Sequence, residues 1–180
     1  MIAAAEWLIS RSSPNNTFFD TNSFPWTKAL ENRYPEIGSE LDFLLENKPI
    51  PDFSKLSEEQ QRIVPENKWK TFILAVCGKY VEENCRLCPV TSSAIRKIPG
   101  IKGAMFSILE PGTHLSRHRG PYKGVLRCHL ALIVPKDEKS CAIEVNGETR
   151  YWKEGKTLIF DDSFEHEATA AGTAGCVDRA

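Results

Sequence analysis

Residues 125–134 read Val-Leu-Arg-Cys-His-Leu-Ala-Leu-Ile-Val, and this alternation limits the possible folds more than any other stretch. Successive side chains on a strand point to opposite faces. Leu126, Cys128, Leu130, Leu132 and Val134 therefore share one wholly apolar face. Val125, Arg127, His129, Ala131 and Ile133 share the other. Further on, two strand-like segments flank Asn146-Gly147. Both residues of that dipeptide tolerate positive φ, which marks a tight hairpin. Residues 104–109, stopped by Glu110-Pro111-Gly112, and residues 157–160, after the turn Glu154-Gly155-Lys156, read as two more strands. Short strands at close spacing with turn signals point to a β-barrel or sandwich.

The earlier residues follow a different pattern. Leu30, Ile37, Leu41, Phe43 and Leu44 recur at roughly helical spacing, interrupted at Pro35. Pro49, Pro51 and Pro65 mark a connecting region. Ser57 has the features of a helix cap, and residues 91–97 form a second short helix candidate before Pro99-Gly100. The expected organisation is one domain in three stretches. Residues 1–103 are helical and loop-rich, residues 104–167 form the β core, and residues 168–180 are an atypical tail.

A chain of 180 residues with 41% hydrophobic and 26% charged residues suits one globular domain. The net charge of -1 offers no basic excess for phosphates, which argues against a nucleic-acid partner. The longest apolar runs, residues 72–76 and 130–134, fall far short of the ~18 residues that span a bilayer. Glu6 interrupts the apolar start, so no signal peptide is expected there. A cytoplasmic location is the expectation, or a membrane-anchored or lumenal one for a piece of a longer protein. The six cysteines read as reduced thiols. Cys85 and Cys88 form a single CxxC with no second pair to complete a zinc site. Pro89 and the lack of a surrounding βαβ pattern argue against a redox motif.

Four histidines, His114, His118, His129 and His166, all lie in the β-rich part. Imidazole is the commonest ligand for iron and zinc, so this clustering makes them metal-ligand candidates. Arg127 and His129 point the same way from one strand. That face is either solvated or lines a pocket for an anion, and a carboxylate would match the guanidinium fork. Asp161, Asp162, Glu165 and Glu167 form either an exposed acidic turn or a rim orienting a metal-bound histidine through its second ring nitrogen.

Several short motifs now stand in order. They are Phe106-Ser107, Pro111-Gly112-Thr113-His114, His118-Arg119-Gly120-Pro121, Leu126-Arg127-Cys128-His129-Leu130, Trp152-Lys153-Glu154-Gly155-Lys156 and the run from Phe160 to Glu167. Upstream, Phe24-Pro25-Trp26, Cys88-Pro89-Val90-Thr91 and Ile98-Pro99-Gly100 join them. In this order and spacing the sequence resembles the aspartyl/asparaginyl β-hydroxylase family from about Phe18 to Glu167. The resemblance implies a mainly β fold with N-terminal helices, namely a double-stranded β-helix of the jelly-roll or cupin type. It also implies Fe(II) held by His118 and His166, and 2-oxoglutarate contacted by Ser107, Arg127 and His129. O2 is the co-reactant, and the product is a hydroxylated aspartyl or asparaginyl residue of a protein substrate. Iron oxygenases of this chemistry commonly add a carboxylate two residues after the first histidine. Gly120 stands there, so the resemblance implies two protein ligands with water completing the shell.

After Glu167 the match ends. The family continues into a final apolar strand carrying an arginine for the distal carboxylate of 2-oxoglutarate. This chain has small residues instead, and Arg179 is too distant to match. The expectation is a missing final strand, with two open edges and part of the interior exposed. Two other readings follow. One is a related hydroxylase of another substrate, such as lipid A. The other is a degenerate, non-catalytic binding domain.

Overall fold

The computed structural model describes residues 1–10, 16–53, 62–64, 67–120 and 123–170. The Ser57 helix, Pro65, Pro121, and the end of the tail with Cys176 and Arg179 lie outside the described residues.

The strands are β1 (Ile2–Ser10), β2 (Phe18–Phe19), β3 (Trp69–Val76), β4 (Lys79–Tyr80), β5 (Ile101–Leu109) and β6 (Thr113–His118). Then come β7 (Val125–Ile133), β8 (Cys141–Val145), β9 (Glu148–Tyr151), β10 (Thr157–Asp161) and β11 (His166–Ala170). The helices are α1 (Trp26–Asn32), α2 (Tyr34–Asn47), α3 (Glu82–Leu87) and α4 (Pro89–Ile95). The strands form two antiparallel sheets, ordered β2-β10-β7-β1-β5-β3-β4 and β6-β11-β8-β9. From β5 onward the chain passes back and forth between them. The protein is thus mainly β, with a few helices.

Three layers result. Leu30 of α1, Ile37, Leu41 and Leu44 of α2 and Ile95 of α4 pack with Phe106, Ile108, Leu126, Cys128, Leu130 and Leu132 of the larger sheet. The predicted apolar face of β7 is therefore the face against the helices. On its other side, Leu109, Ala131 and Phe160 meet Leu115, Ile143, Val145 and Ala168 of the smaller sheet. Pro35 falls in the first turn of α2, where its missing N–H costs nothing, so the expected interruption becomes a boundary between α1 and α2. Glu40 of α2 accepts from Val90 N at 2.6 Å and Thr91 N at 2.9 Å, fixing the start of α4. Asn146 and Gly147 have φ of 50° and 82° and close the β8–β9 hairpin as expected.

The largest departure from the sequence expectation is β1. Residues 2–10 enter the larger sheet between β5 and β7 and pair antiparallel with both. Both the β5 and the β7 edge that face each other across this place are hydrogen-bonded to β1. Ala3 and Trp7 are buried on the helix side, 0% and 1% exposed, and Ala4 is buried at 6%. A central strand enclosed on both faces shows no alternation, and three consecutive alanines carry little strand propensity, which hides β1 in the sequence. β3 adds a second strand from the stretch expected to be helical. The terminal strands of this sheet, β2 and β4, have two residues each. β11 runs through Ala170, past the end of the expected core. Ala168 and Ala170 are buried there, where small side chains fit between the sheets.

Candidate metal centre

β6 ends on His118 and β11 begins on His166, and the two are directly paired in register. Their ring centroids lie 4.2 Å apart at an interplanar angle of 56°. Nδ1 of His118 is 2.7 Å from the carbonyl of Ser116, and Nδ1 of His166 is 2.9 Å from the carbonyl of Phe164. A carbonyl oxygen only accepts, so each Nδ1 carries the proton and each neutral ring keeps its lone pair on Nε2. Burial lowers the pKa of His118, helped by Arg127 and opposed by the Ser116 carbonyl and Asp162. Burial lowers His166 further, to about 4, with the charges of His118 and Arg127 adding to it and the Phe164 carbonyl opposing it. Both rings are therefore neutral at pH 7, the form that donates to a metal.

The carboxylates do not orient these rings, contrary to the acidic-rim expectation. Backbone carbonyls hold both Nδ1 atoms. Asp161 accepts from Ser163 N at 2.9 Å. Glu167 accepts from Arg117 at 2.6 Å and pairs with His114 at 3.0 Å, so the fourth histidine is tied up at an exposed site. Asp162, 2% exposed, takes Arg127 as its partner, with the guanidinium NH2 at 2.9 Å and Nε at 3.3 Å from Oδ2. Its Oδ1 is buried with no hydrogen-bond partner among the described residues. Gly120 N–H donates to the Asp162 carbonyl at 2.6 Å. A side chain at 120 would run into the Asp162 carboxylate. That carboxylate therefore occupies the space beside residue 120 that an acidic side chain there would need. Among the described residues, no group of three or more His, Cys, Asp or Glu forms a metal cluster.

A small cavity of about 40 Å³ is lined by Ala4, Ser107, Leu109, Leu115, His129, Trp152 and Ala168. Phe160 meets both His129 and His166 edge to face, at 5.1 and 5.6 Å between centroids, and so links the cavity to the histidine pair. Two tryptophans reach the polar atoms of the cavity. Trp69 Nε1 donates to Ser107 Oγ at 2.8 Å, and Trp152 Nε1 donates to His129 Nδ1 at 3.2 Å. Ser107 and His129 line one cavity. Arg127 lies against Asp162, which the sequence reading assigned to the acidic cluster. The reading also missed Ala4 and Trp69, which come from strands it did not foresee. Trp152 was visible only as part of a motif.

The fold and these side chains define a mainly β protein with a close, neutral histidine pair beside a buried Arg–Asp pair. Sequence comparison then places it. The family described as aspartyl/asparaginyl beta-hydroxylase matches residues 31–175. The chain belongs to that family. It is 48% identical over 155 residues, 86% of the chain and 55% of the relative, to the ornithine lipid ester-linked acyl 2-hydroxylase of Rhizobium tropici. It is 35% identical over 155 residues, 79% of the chain and 20% of the relative, to the human aspartyl/asparaginyl beta-hydroxylase. Human aspartate beta-hydroxylase domain-containing protein 2 is also 35% identical, over 82% of the chain and 40% of its own length. The chain thus spans about half of these relatives or less. Among the described residues no helix is long and apolar enough to cross a membrane.

Proposed function

We propose that the chain is an Fe(II)- and 2-oxoglutarate-dependent hydroxylase on a double-stranded β-helix, with His118 and His166 as the protein ligands. The passage of the chain between two facing antiparallel sheets supports the fold reading. The state of the histidine pair carries the metal reading. Both Nδ1 atoms are tied to backbone carbonyls, both rings are held neutral by burial, and both lone pairs lie on Nε2. Imidazoles oriented in this way through the second nitrogen suit a first-row divalent metal. Fe(II), when bound there with 2-oxoglutarate and O2, would supply the oxidising chemistry that replaces C–H by C–OH.

The remaining residues bind and orient. Ser107 and His129 offer hydrogen-bond donors to a carboxylate of 2-oxoglutarate. Arg127, held by Asp162, adds positive charge beside the histidines. The buried oxygen of Asp162 would accept a hydrogen bond from a water beside the histidine pair. Phe160 excludes bulk water between the cavity and the histidine pair.

The substrate reading rests on relatedness. The relative named for a lipid acyl chain is 48% identical, against 35% for those named for aspartyl residues, which favours a lipid acyl chain. An aspartyl or asparaginyl residue of a protein is the second reading. Gly120 is accounted for by the packing of Asp162 and does not separate the two.

The test is anaerobic titration of the Fe(II) protein with 2-oxoglutarate, watching for a metal-to-ligand charge-transfer band. A saturable band lost in His118→Ala and His166→Ala is the expected result. A folded protein with no band would assign the chain to the non-catalytic class. Turnover assays with ester-linked acyl lipids and with aspartyl peptides then decide between the substrates.

A further inference from the structure

Trp69 and Trp152 carry out parallel tasks. Each indole N–H is buried in residues only 5% and 4% exposed, and each meets a polar atom of the small cavity. An indole nitrogen donates and never accepts. Trp69 therefore makes Ser107 Oγ an acceptor on its side, leaving the hydroxyl proton to point elsewhere. Trp152 makes His129 Nδ1 an acceptor, which puts the proton of the neutral ring on Nε2. The stacked rings of His129 and Trp152, 5.9 Å apart at 16°, hold that geometry.

We infer that Trp69 and Trp152 are positioning residues that set Ser107 and His129 as hydrogen-bond donors toward the cavity, making it selective for an acceptor-only group such as a carboxylate. The other cavity walls, Ala4, Leu109, Leu115 and Ala168, contribute no side-chain donor or acceptor. The hydrogen-bonding character of the cavity is thus decided by two side chains that are themselves aimed by two others. Had His129 taken the opposite tautomer, its Nε2 would be an acceptor and would repel a carboxylate oxygen. The identification of that carboxylate with 2-oxoglutarate rests on the proposed function, while the polarity of the cavity does not.

The experiment has two readouts. Nitrogen NMR of histidine-labelled protein without ligand, with His129 assigned by a His129→Asn variant, reads the tautomer directly. The expected wild-type state is protonation at Nε2, shifting toward Nδ1–H in Trp152→Phe, which keeps the ring but removes the donor. Binding of 2-oxoglutarate to the Fe(II) protein should weaken about tenfold in Trp152→Phe and in Trp69→Phe, the scale of one hydrogen bond, with Fe(II) affinity unchanged. Nδ1–H in the wild-type protein overturns the inference. So does unaltered 2-oxoglutarate affinity in both folded variants. Failure of 2-oxoglutarate to bind the wild-type protein would remove the hydroxylase reading while leaving the tautomer result to stand or fall alone.

Discussion

Gly120 and Asp162 fill one space between them: the Gly120 N–H donates to the Asp162 carbonyl at 2.6 Å, and a Cβ at 120 would stand 2.6 Å from Asp162 Oδ1. Residue 120 can bear a side chain only if the Asp162 carboxylate leaves. Gly120→Asp alone should therefore destabilise the fold by about 2 kcal/mol through overpacking. That corresponds to a fall of roughly 6 °C in Tm for a chain of this size. Adding Asp162→Gly returns the space, so the double variant should lose less stability than the sum of the two single losses. Thermal unfolding of the single and double variants measures both effects, and a Gly120→Asp variant as stable as the parent would contradict the packing.

Arg127 and Asp162 form a nearly buried ion pair, with side chains 18% and 3% exposed. Asp162→Ala removes a charge-assisted acceptor from the guanidinium and should cost about 2 kcal/mol. Arg127→Ala should cost a similar amount, and the double variant less than their sum. A denaturant double-mutant cycle reads the coupling. Strict additivity would mean that the pair contributes nothing as a pair.

Both candidate ligand histidines have folded pKa values below 6.5, His166 at about 4. The unfolded chain then binds more protons than the folded one across the interval from 6.5 down to about 4. Stability of the metal-free protein should rise with pH through that window and fall on acidification, by up to about 1.4 kcal/mol per pH unit for each ring. Fe(II) affinity should fall in the same direction, because protons compete for Nε2. Urea melts from pH 7 to pH 4 test this. A His166→Ala variant should show a shallower slope, and an equal slope would show that other groups govern the acid limb.

Trp7 is 1% exposed and belongs to the helix-side core. Trp7→Ala should cost about 3–5 kcal/mol if β1 is a permanent part of the sheet. A change below 1 kcal/mol in equilibrium unfolding would mean that the strand leaves its place readily.

The sequence carried the β core well where one face of a strand is apolar and the other is not. β7 was readable from its alternation, the β8–β9 hairpin from Asn146-Gly147, and the break between α1 and α2 from Pro35. The central strands were hidden. β1 is enclosed on both sides and rich in alanine, and β11 combines a histidine, a charge and small residues in five positions. Of the candidate site, His118, His166, Ser107 and His129 came from the family resemblance, and the structure brings the first two together and places the other two in one cavity. The partner of Arg127 was not legible, because Asp162 lies in a turn whose acidic residues look alike on paper. Nothing in the spacing distinguishes the aspartate that meets an arginine from the one that caps a turn.

A fragment starting at residue 104 would retain all four histidines, Arg127 and both acidic partners, and by sequence it would pass for the whole working part. It would nonetheless lack a wall. Ala4 pairs with Ser107 on one side and Ala131 on the other, each more than a hundred positions away along the chain. Pairings at such separation form late and slowly, because a long loop must close before any contact rewards it. The cavity therefore cannot be separated from residues 2–10. Any truncation, tag or circular permutation near residues 2–10 acts directly on the cavity, although it lies as far as possible from the histidines in the linear sequence.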